Sequence, residues 1–228
     1  MPEYVTLVLR NGLATALAQS SASALEHETL AAYLSKRRWY SAKGQALQSA
    51  RVVYTARLPG GAMDDDASLE RDIAALRKQV DLLVVTSHWG VPYERVPAEA
   101  ERARARLAIE LGADAVIAHH PHVVQPLEIH RGRPIFFSVG NLAFGSGNTK
   151  AEGLLVGLRL EPEWLVVDVY ALYVKNRDPR VAYQPKVMRG AGAHRLFRKL
   201  HGLAEGGGQP VGPDEARVVL RFPRSPRS

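Results

Sequence analysis

The sequence has no cysteine, and it also has no long hydrophobic run and no secretion signal. Without Cys among its 228 residues, disulfide bonds and thiolate metal sites are excluded, although the compartment stays open. No stretch approaches the roughly 18–20 apolar residues that a membrane helix needs. Residues 1–26 lack the basic start and the long apolar core of a signal peptide. These absences predict a cytoplasmic chain without a membrane segment.

The charge is positive but dispersed. The formal net charge is +7 and the pI is about 9.8, which favours anionic partners. No long Lys/Arg block alternates with aromatic residues, and this argues against nucleic-acid binding, which would need the Arg residues to cluster on one face. The Arg run at 102–106 predicts a solvated helix face, with Glu99, Glu101 and Glu110 at helical separations.

Helices and strands are predicted to alternate from about residue 66 to residue 141. "SLERDIAALRKQV" and "PAEAERARARLAIELGA" have helical spacing and composition, whereas "DLLVVTSHWG" and "DAVIAHH" are apolar runs typical of strands buried on both faces. Strand–helix–strand order implies a parallel sheet and an α/β fold. "VVQPLEIHRGRPIFFSVGN" predicts two strands joined at Arg131–Gly132.

The two ends of the chain have predicted secondary structure that differs from that of the middle. Residues 1–58 predict a strand, a helix over "SALEHETLAAYLSKRRW" and a second strand, before the Pro, Gly and Asp residues of "PGGAMDDDAS" predict a linker. Beyond residue 150 the pattern predicts antiparallel structure: a hairpin turning near Pro162, a helix over "AGAHRLFRKLHGLAEGGG" ended by its glycines, and a last strand at "ARVVLRF".

Histidines follow two of the predicted buried strands. His88 ends "LLVVTSH", and His119 and His120 end "DAVIAHH", with Pro121 and His122 next. Ligands of open α/β sheets collect at the carboxyl ends of the strands. Imidazole suits Zn, Fe and Mn, so the pattern leaves two alternatives: a metal or anion site, or histidines that are structural or solvated.

Three motifs with fitting spacing point to a known family. They are "SHWG", then "GADAVIAHHPHVVQP", then "IFFSVGN" followed by "FG". Over residues 64–222 the chain resembles the capsule-synthesis CapA family, which is associated with poly-γ-glutamate production and belongs to the calcineurin-like metallophosphoesterases. The resemblance implies the C-terminal half of an α/β sandwich, and a substrate that is an anionic polymer or a phosphoester.

The resemblance also implies a set of site residues. His88, His120 and His122 would be metal ligands for Mn, Fe or Zn, and His88 and His120 would be catalytic, with a bound water as the nucleophile. Ala118 and His119 stand where the family has a glycine nearby. Substrate-lining positions would be Trp89, Glu94 and Asn141, although a turn Asn is the alternative for the last.

The oxygen ligands of such a site are missing from the expected places. A two-metal centre needs a bridging carboxylate between cations about 3.5–4 Å apart. Residues 1–63 contain no Asp, and no Asn-His dipeptide occurs in the chain. The acidic run at 64–66 has the context of a solvated linker. A non-catalytic remnant or interaction module, with a weak metal site and no turnover or with no metal at all, is therefore the alternative to a metal-dependent hydrolase.

Residues 4–59, with "RRWYSAKG", resemble the N-terminal cap of bacterial maltokinases, often fused to trehalose synthase. No phosphate-cradling Gly loop follows, so kinase activity is not expected, and a fusion protein of trehalose or glycogen metabolism is a further alternative. The predicted organisation is a cap-like segment at 1–59, a linker at 60–66, a CapA-like domain at 67–222 and a tail at 223–228. The cap-like segment is expected to cover a sheet edge. The oligomeric state stays open.

Overall fold

The computed structural model describes residues 4–9, 50–55, 66–78, 80–143, 151–203, 209–210 and 217–224. The predicted helix at 24–39 lies outside them. The strands are β1 (Tyr4–Leu9), β2 (Ala50–Thr55), β3 (Leu82–His88), β4 (Ala115–His119), β5 (Leu127–His130), β6 (Arg133–Phe136), β7 (Glu152–Leu160), β8 (Trp164–Tyr173), β9 (Lys186–Val187), β10 (Gln209–Pro210) and β11 (Arg217–Pro223). The helices are α1 (Asp66–Arg77), α2 (Glu99–Glu110), α3 (Gly190–Phe197) and a 3-10 turn at His201–Leu203.

The first sheet has six strands in the order β2-β1-β3-β4-β6-β5. Its middle is parallel, because α2 carries the chain from β3 to β4, and β4 is also parallel to β6. The predicted α/β fold is confirmed. β5 and β6 form the hairpin expected at Arg131–Gly132, where both turn residues have positive φ, 48° and 71°.

The N-terminal strands lie in this same sheet. β1 pairs antiparallel with both β2 and β3, and its Leu7 lies opposite Val84. The edge of β3 is thereby covered by residues of the N-terminal segment, as the sequence predicts.

The second sheet is antiparallel, in the order β10-β11-β8-β7, with β9 also paired to β8. The predicted hairpin around Pro162 is confirmed, since Leu160 of β7 pairs with Leu165 of β8. A single bridge between Gly140 and Gly153 links β7 to the loop that follows β6.

The described residues form three core clusters, and the alternation of side chains along β3 separates the two larger ones. Leu82 and Val84 face the second sheet, where they belong to one cluster with Leu165 and Val167 of β8. The opposite face packs on α1 and α2 through Leu83, Val85, Ile73, Ala105 and Ile109. The layers are therefore helices, first sheet and second sheet. By the same alternation, His88 lies on the side of β3 that faces the second sheet.

The predicted end of the C-terminal helix was wrong. α3 ends at Phe197 rather than at the glycines 206–208. A 3-10 turn follows at His201–Leu203, and Gly202 lies so close to β5 that a Cβ there would come within 2.3 Å of the carbonyl oxygen of Leu127.

The Arg run on α2 is not a simply solvated face. Arg102 and Arg106 both bind Glu128 of β5, at 3.0 and 2.6 Å, and the guanidinium of Arg102 lies over the Phe137 ring. The 3.9 Å pair of Arg106 with Glu99 matches the expected contacts within the helix. The prediction was wrong for these two arginines because periodicity along one helix does not show an acid on a neighbouring strand.

Candidate functional site

The carboxyl ends of β3 and β4 bring the histidines together. His88 and His119 are paired neighbours in the two parallel strands. The chain then turns at His120, so that its Nδ1 lies 2.8 Å from Nε2 of His88. The two rings meet edge to face, with their centres 4.6 Å apart. A contact of this length is a hydrogen bond in which one nitrogen is protonated and the other accepts.

Three non-glycine residues at this edge have left-handed backbone. The φ angles are 69° at Tyr93, 99° at His120 and 58° at His122. Such conformations cost on the order of 1–3 kcal/mol each, and they concentrate at functional sites. The Tyr93 conformation is held by its N–H, which donates to the Pro121 carbonyl oxygen at 2.6 Å. The loop after β3 is thereby fastened to the histidine loop after β4.

His122 is oriented by Asn141. Nδ1 of His122 lies 2.7 Å from Oδ1 of Asn141, and Nδ2 of Asn141 donates to the backbone oxygen of His122 at 3.3 Å. Because the amide nitrogen of Asn141 is used by that carbonyl, its oxygen must accept from the His122 ring. Nδ1 of His122 therefore carries a proton, and Nε2 is the nitrogen with the lone pair. Asn141 is itself buried.

His119 is half-buried. Burial lowers its pKa, and the neighbouring positive charge of His88 lowers it further. Its backbone oxygen accepts from the N–H of Trp89 at 3.2 Å, which fastens the ends of β3 and β4 together. The lowered pKa favours the neutral form of His119, and this form adds no buried positive charge to the site.

The histidine geometry partly fits a divalent cation. Two imidazole nitrogens bound to one tetrahedral zinc would lie about 3.3 Å apart, close to the 2.8 Å between His88 and His120. Among the described residues, however, no group of three or more His, Cys, Asp and Glu side chains is arranged to hold a metal. The His122 ring centre is 5.9 Å from that of His120. Two-point binding by His88 and His120 would therefore require loss of the proton that their hydrogen bond shares, and no carboxylate joins them in the described ranges.

The two other predicted lining residues lie at different depths. The indole of Trp89 is half-buried and packs against the core cluster on the helix side of the sheet. Glu94 is exposed, and its backbone oxygen accepts from Nε2 of the buried Gln125 at 3.1 Å. Neither side chain has a recorded contact with the histidines, and their substrate-lining role stays a prediction.

Tyr93 is a site residue that the sequence analysis did not single out. Its ring centre is 5.9 Å from that of His122, and its side chain is exposed. Its only sequence signal is its position five residues after His88, in a loop between a strand and a helix. The left-handed backbone that presents it cannot be seen in the sequence.

Comparison with known families agrees with this arrangement. The model of the bacterial capsule synthesis protein PGA_cap family matches residues 5–146, which include all three histidines and Asn141. The chain belongs to the PGA_cap family. The match also includes most of the segment that resembles a maltokinase cap, and that resemblance stays a prediction.

Individual relatives agree with the family. The chain is 42% identical over 78 residues to the PGA biosynthesis protein CapA of Bacillus subtilis, over 34% of this chain and 20% of that protein. It is 30% identical over 157 residues to the capsule biosynthesis protein CapA of Bacillus anthracis, over 66% of this chain and 37% of that protein. A probable polyglutamine synthesis accessory protein of Mycobacterium tuberculosis is 32% identical over 78 residues, 34% of this chain and 20% of the relative.

The alignments cover only part of each relative. The chain spans 20% to 37% of the length of these curated relatives. None of the helices in the described ranges is long and apolar enough to cross a membrane.

Proposed function

We propose that this PGA_cap chain acts in the synthesis of poly-γ-glutamate or a related capsule polymer. In this role, the histidine site binds one divalent cation and an anionic group of the polymer or of a phosphoester precursor. The names of the relatives from the two Bacillus species support the pathway. The observation that supports this site is the 2.8 Å distance between Nε2 of His88 and Nδ1 of His120. Asn141 orients the ring of the neighbouring His122.

Each residue of the site would have its own role in binding the cation. Nε2 of His88 and Nδ1 of His120 would hold Mn, Fe or Zn, and Nε2 of His122 would complete the set. A cation there would polarise a phosphoryl or acyl oxygen and lower the pKa of a bound water. The hydrogen bond from Nδ1 of His122 to Asn141 would orient that ring, as outer partners of metal-bound histidines do.

Hydrolysis at a single cation is the reaction class this set would support. Three imidazoles can hold zinc with one open position, whereas a second cation would need carboxylates that the described part of the site lacks. The site therefore favours a one-metal hydrolase over a dinuclear phosphoesterase. A binding module without turnover remains the second candidate, favoured by that same lack of carboxylates.

Metal content tests the proposal directly. The wild type and His120→Ala/His122→Ala would be purified, loaded with Mn, Fe or Zn, dialysed and subjected to elemental analysis. The matched control is His130→Ala/His201→Ala, which also removes two histidines, but from β5 and the 3-10 turn rather than from the carboxyl ends of β3 and β4. About one metal per chain in wild type and control, lost in the site variant, is expected.

Other outcomes discriminate between the candidates. Equal metal content in all three proteins, or none in any, would overturn the metal site. Metal binding without hydrolysis of poly-γ-glutamate or phosphoesters would leave the binding module as the function.

A further inference from the structure

We propose that residues 175–189, here called the basic strip, bind the carboxylates of an extended acidic polymer next to the histidine site. The inference rests on the proposed function, because it names the surface that would hold the polymer while one of its groups occupies the site. Its basis is a junction in which the basic strip is hydrogen-bonded to the loop that carries Asn141.

The basic strip is joined to the site by a short chain of contacts. Nδ2 of Asn176 donates to the backbone oxygen of Leu142 at 2.9 Å. Leu142 directly follows Asn141, whose Oδ1 accepts from the ring of His122. The two residues that flank Asn176, Lys175 and Arg177, are both exposed. Lys175 and Arg177 therefore lie on the surface on either side of Asn176, which binds the loop that carries Asn141.

The charge of the basic strip is one-sided. It contains Lys175, Arg177, Arg180, Lys186 and Arg189 against one acid, Asp178. That acid is already occupied, because Arg180 binds both of its oxygens, at 3.0 and 2.7 Å, and the pKa of Asp178 is lowered to about 2. Within the described ranges, Lys175 and Arg177 make no ion pair. The ammonium nitrogen of Lys186 is buried, so the exposed cations of the basic strip are Lys175, Arg177, Arg180 and Arg189.

The backbone of the basic strip is ordered before any ligand arrives. Asn176 and Val181 are fully buried. The N–H of Val181 donates to the backbone oxygen of Asp178 at 2.8 Å, and the N–H of Tyr183 donates to the backbone oxygen of Asn176 at 3.1 Å. A rigid surface loses less conformational entropy when it binds than a mobile one does.

An acidic polymer fits this surface better than a compact anion does. Exposed cations separated along a loop gain little from a single small anion in water, where each pair contributes about 1 kcal/mol or less. A chain with a carboxylate on every residue occupies several of them at once, and successive contacts then act with a high effective concentration. Such binding weakens steeply as salt is added.

The test measures binding of an end-labelled poly-γ-glutamate to the full chain by fluorescence anisotropy at several salt concentrations. Lys175→Gln/Arg177→Gln is compared with Arg71→Gln/Lys78→Gln, which removes the same charge from exposed positions in and just after α1. We expect the first variant to bind roughly fivefold to tenfold more weakly, and its salt dependence to flatten by about one unit of slope. The control variant should change affinity less than twofold. Circular dichroism would confirm that both variants fold.

Three results would overturn the proposal. They are equal weakening by the two variants, no binding to the wild type at low salt, and equally tight binding of a single-stranded oligothymidylate with the same number of charges. Failure of the proposed function is distinguishable. If His120→Ala/His122→Ala and wild type hold no metal but polymer binding still depends on Lys175 and Arg177, the metal site fails and the basic strip stands.

Discussion

Asn141 contacts His122 at two points, accepting from its ring at 2.7 Å and donating to its backbone oxygen at 3.3 Å. The first bond selects the ring tautomer, and the second supports a residue whose φ is 58°. One buried amide thus sets both the chemistry and the position of the last histidine of the cluster.

The first prediction concerns that amide. Asn141→Ala removes the acceptor of the His122 ring, so Mn or Zn affinity measured by calorimetric titration should fall roughly 10- to 100-fold. Asn141→Asp keeps the acceptor for the His122 ring but loses the donor to the His122 backbone oxygen, so its affinity should lie between those of Asn141→Ala and the wild type. Unchanged affinity in Asn141→Ala would show that His122 does not depend on this bond.

The second prediction concerns a buried carboxylate on the opposite edge of the sheet. Oδ2 of Asp114 accepts from Arg77 at 2.6 Å and from the N–H of Leu83 at 2.8 Å. Asp114→Ala leaves both donors without this acceptor, and we expect the free energy of unfolding to fall by about 2–4 kcal/mol in urea titrations. Asp72→Ala on the exposed face of α1 should change it by less than about 0.5 kcal/mol. Similar losses in the two variants would contradict this role of Asp114.

The third prediction is a pH dependence. Burial raises the pKa of Glu128, but the hydrogen bond from Arg106 and the charges of Arg106 and Arg102 outweigh it, so the pKa lies below the ordinary value of 4.5. A lowered folded-state pKa contributes stability above the unfolded value and loses it as the pH falls through the folded value. Glu128→Gln should therefore be less stable than the wild type by roughly 1 kcal/mol at pH 7.

The difference in the free energy of unfolding between Glu128→Gln and the wild type should shrink as the pH falls below 4.5. It should vanish once Glu128 is protonated in both the folded and the unfolded state. Urea unfolding at a series of pH values measures it. A difference that stays constant across this range would mean that Glu128 acts through its shape rather than its charge.

The fourth prediction concerns a glycine that the site needs. A Cβ on Gly153 would lie 2.2 Å from the backbone oxygen of Asn141. Gly153→Ala should therefore displace β7 or the Asn141 loop and reduce stability by on the order of 3 kcal/mol. Gly132→Ala has open space but a φ of 71°, so only backbone strain of about 1 kcal/mol is expected. The melting temperatures should fall in that order, and the reverse order would contradict the clash.

Much of the fold could be predicted because its signals are local. The apolar run at 82–85 has no polar position to face water, and this matches a strand buried on both faces. The same kind of run before His119, with a helix between the two, implied parallel strands whose carboxyl ends meet. The meeting of His88, His119 and His120 at one edge therefore follows from the order of elements.

Other features depend on contacts between distant parts of the chain. Glu128 lies more than 20 residues from Arg102 and Arg106, and nothing along α2 indicates that β5 would bring an acid to them. Likewise, Asn176 reaches Leu142 across 34 residues, so the position of the basic strip beside the site appears only once the two sheets have packed.

The sequence by itself determined the α/β class, the central strands and the identity of the histidines, because periodicity and strand order are local properties of the chain. The tertiary structure alone decided which nitrogens face each other, the tautomer of His122, the left-handed backbone of Tyr93 and the neighbours of each Arg. Those depend on ångström-scale separations between residues far apart in the chain, and such distances are set by the packing of whole sheets rather than by any local pattern.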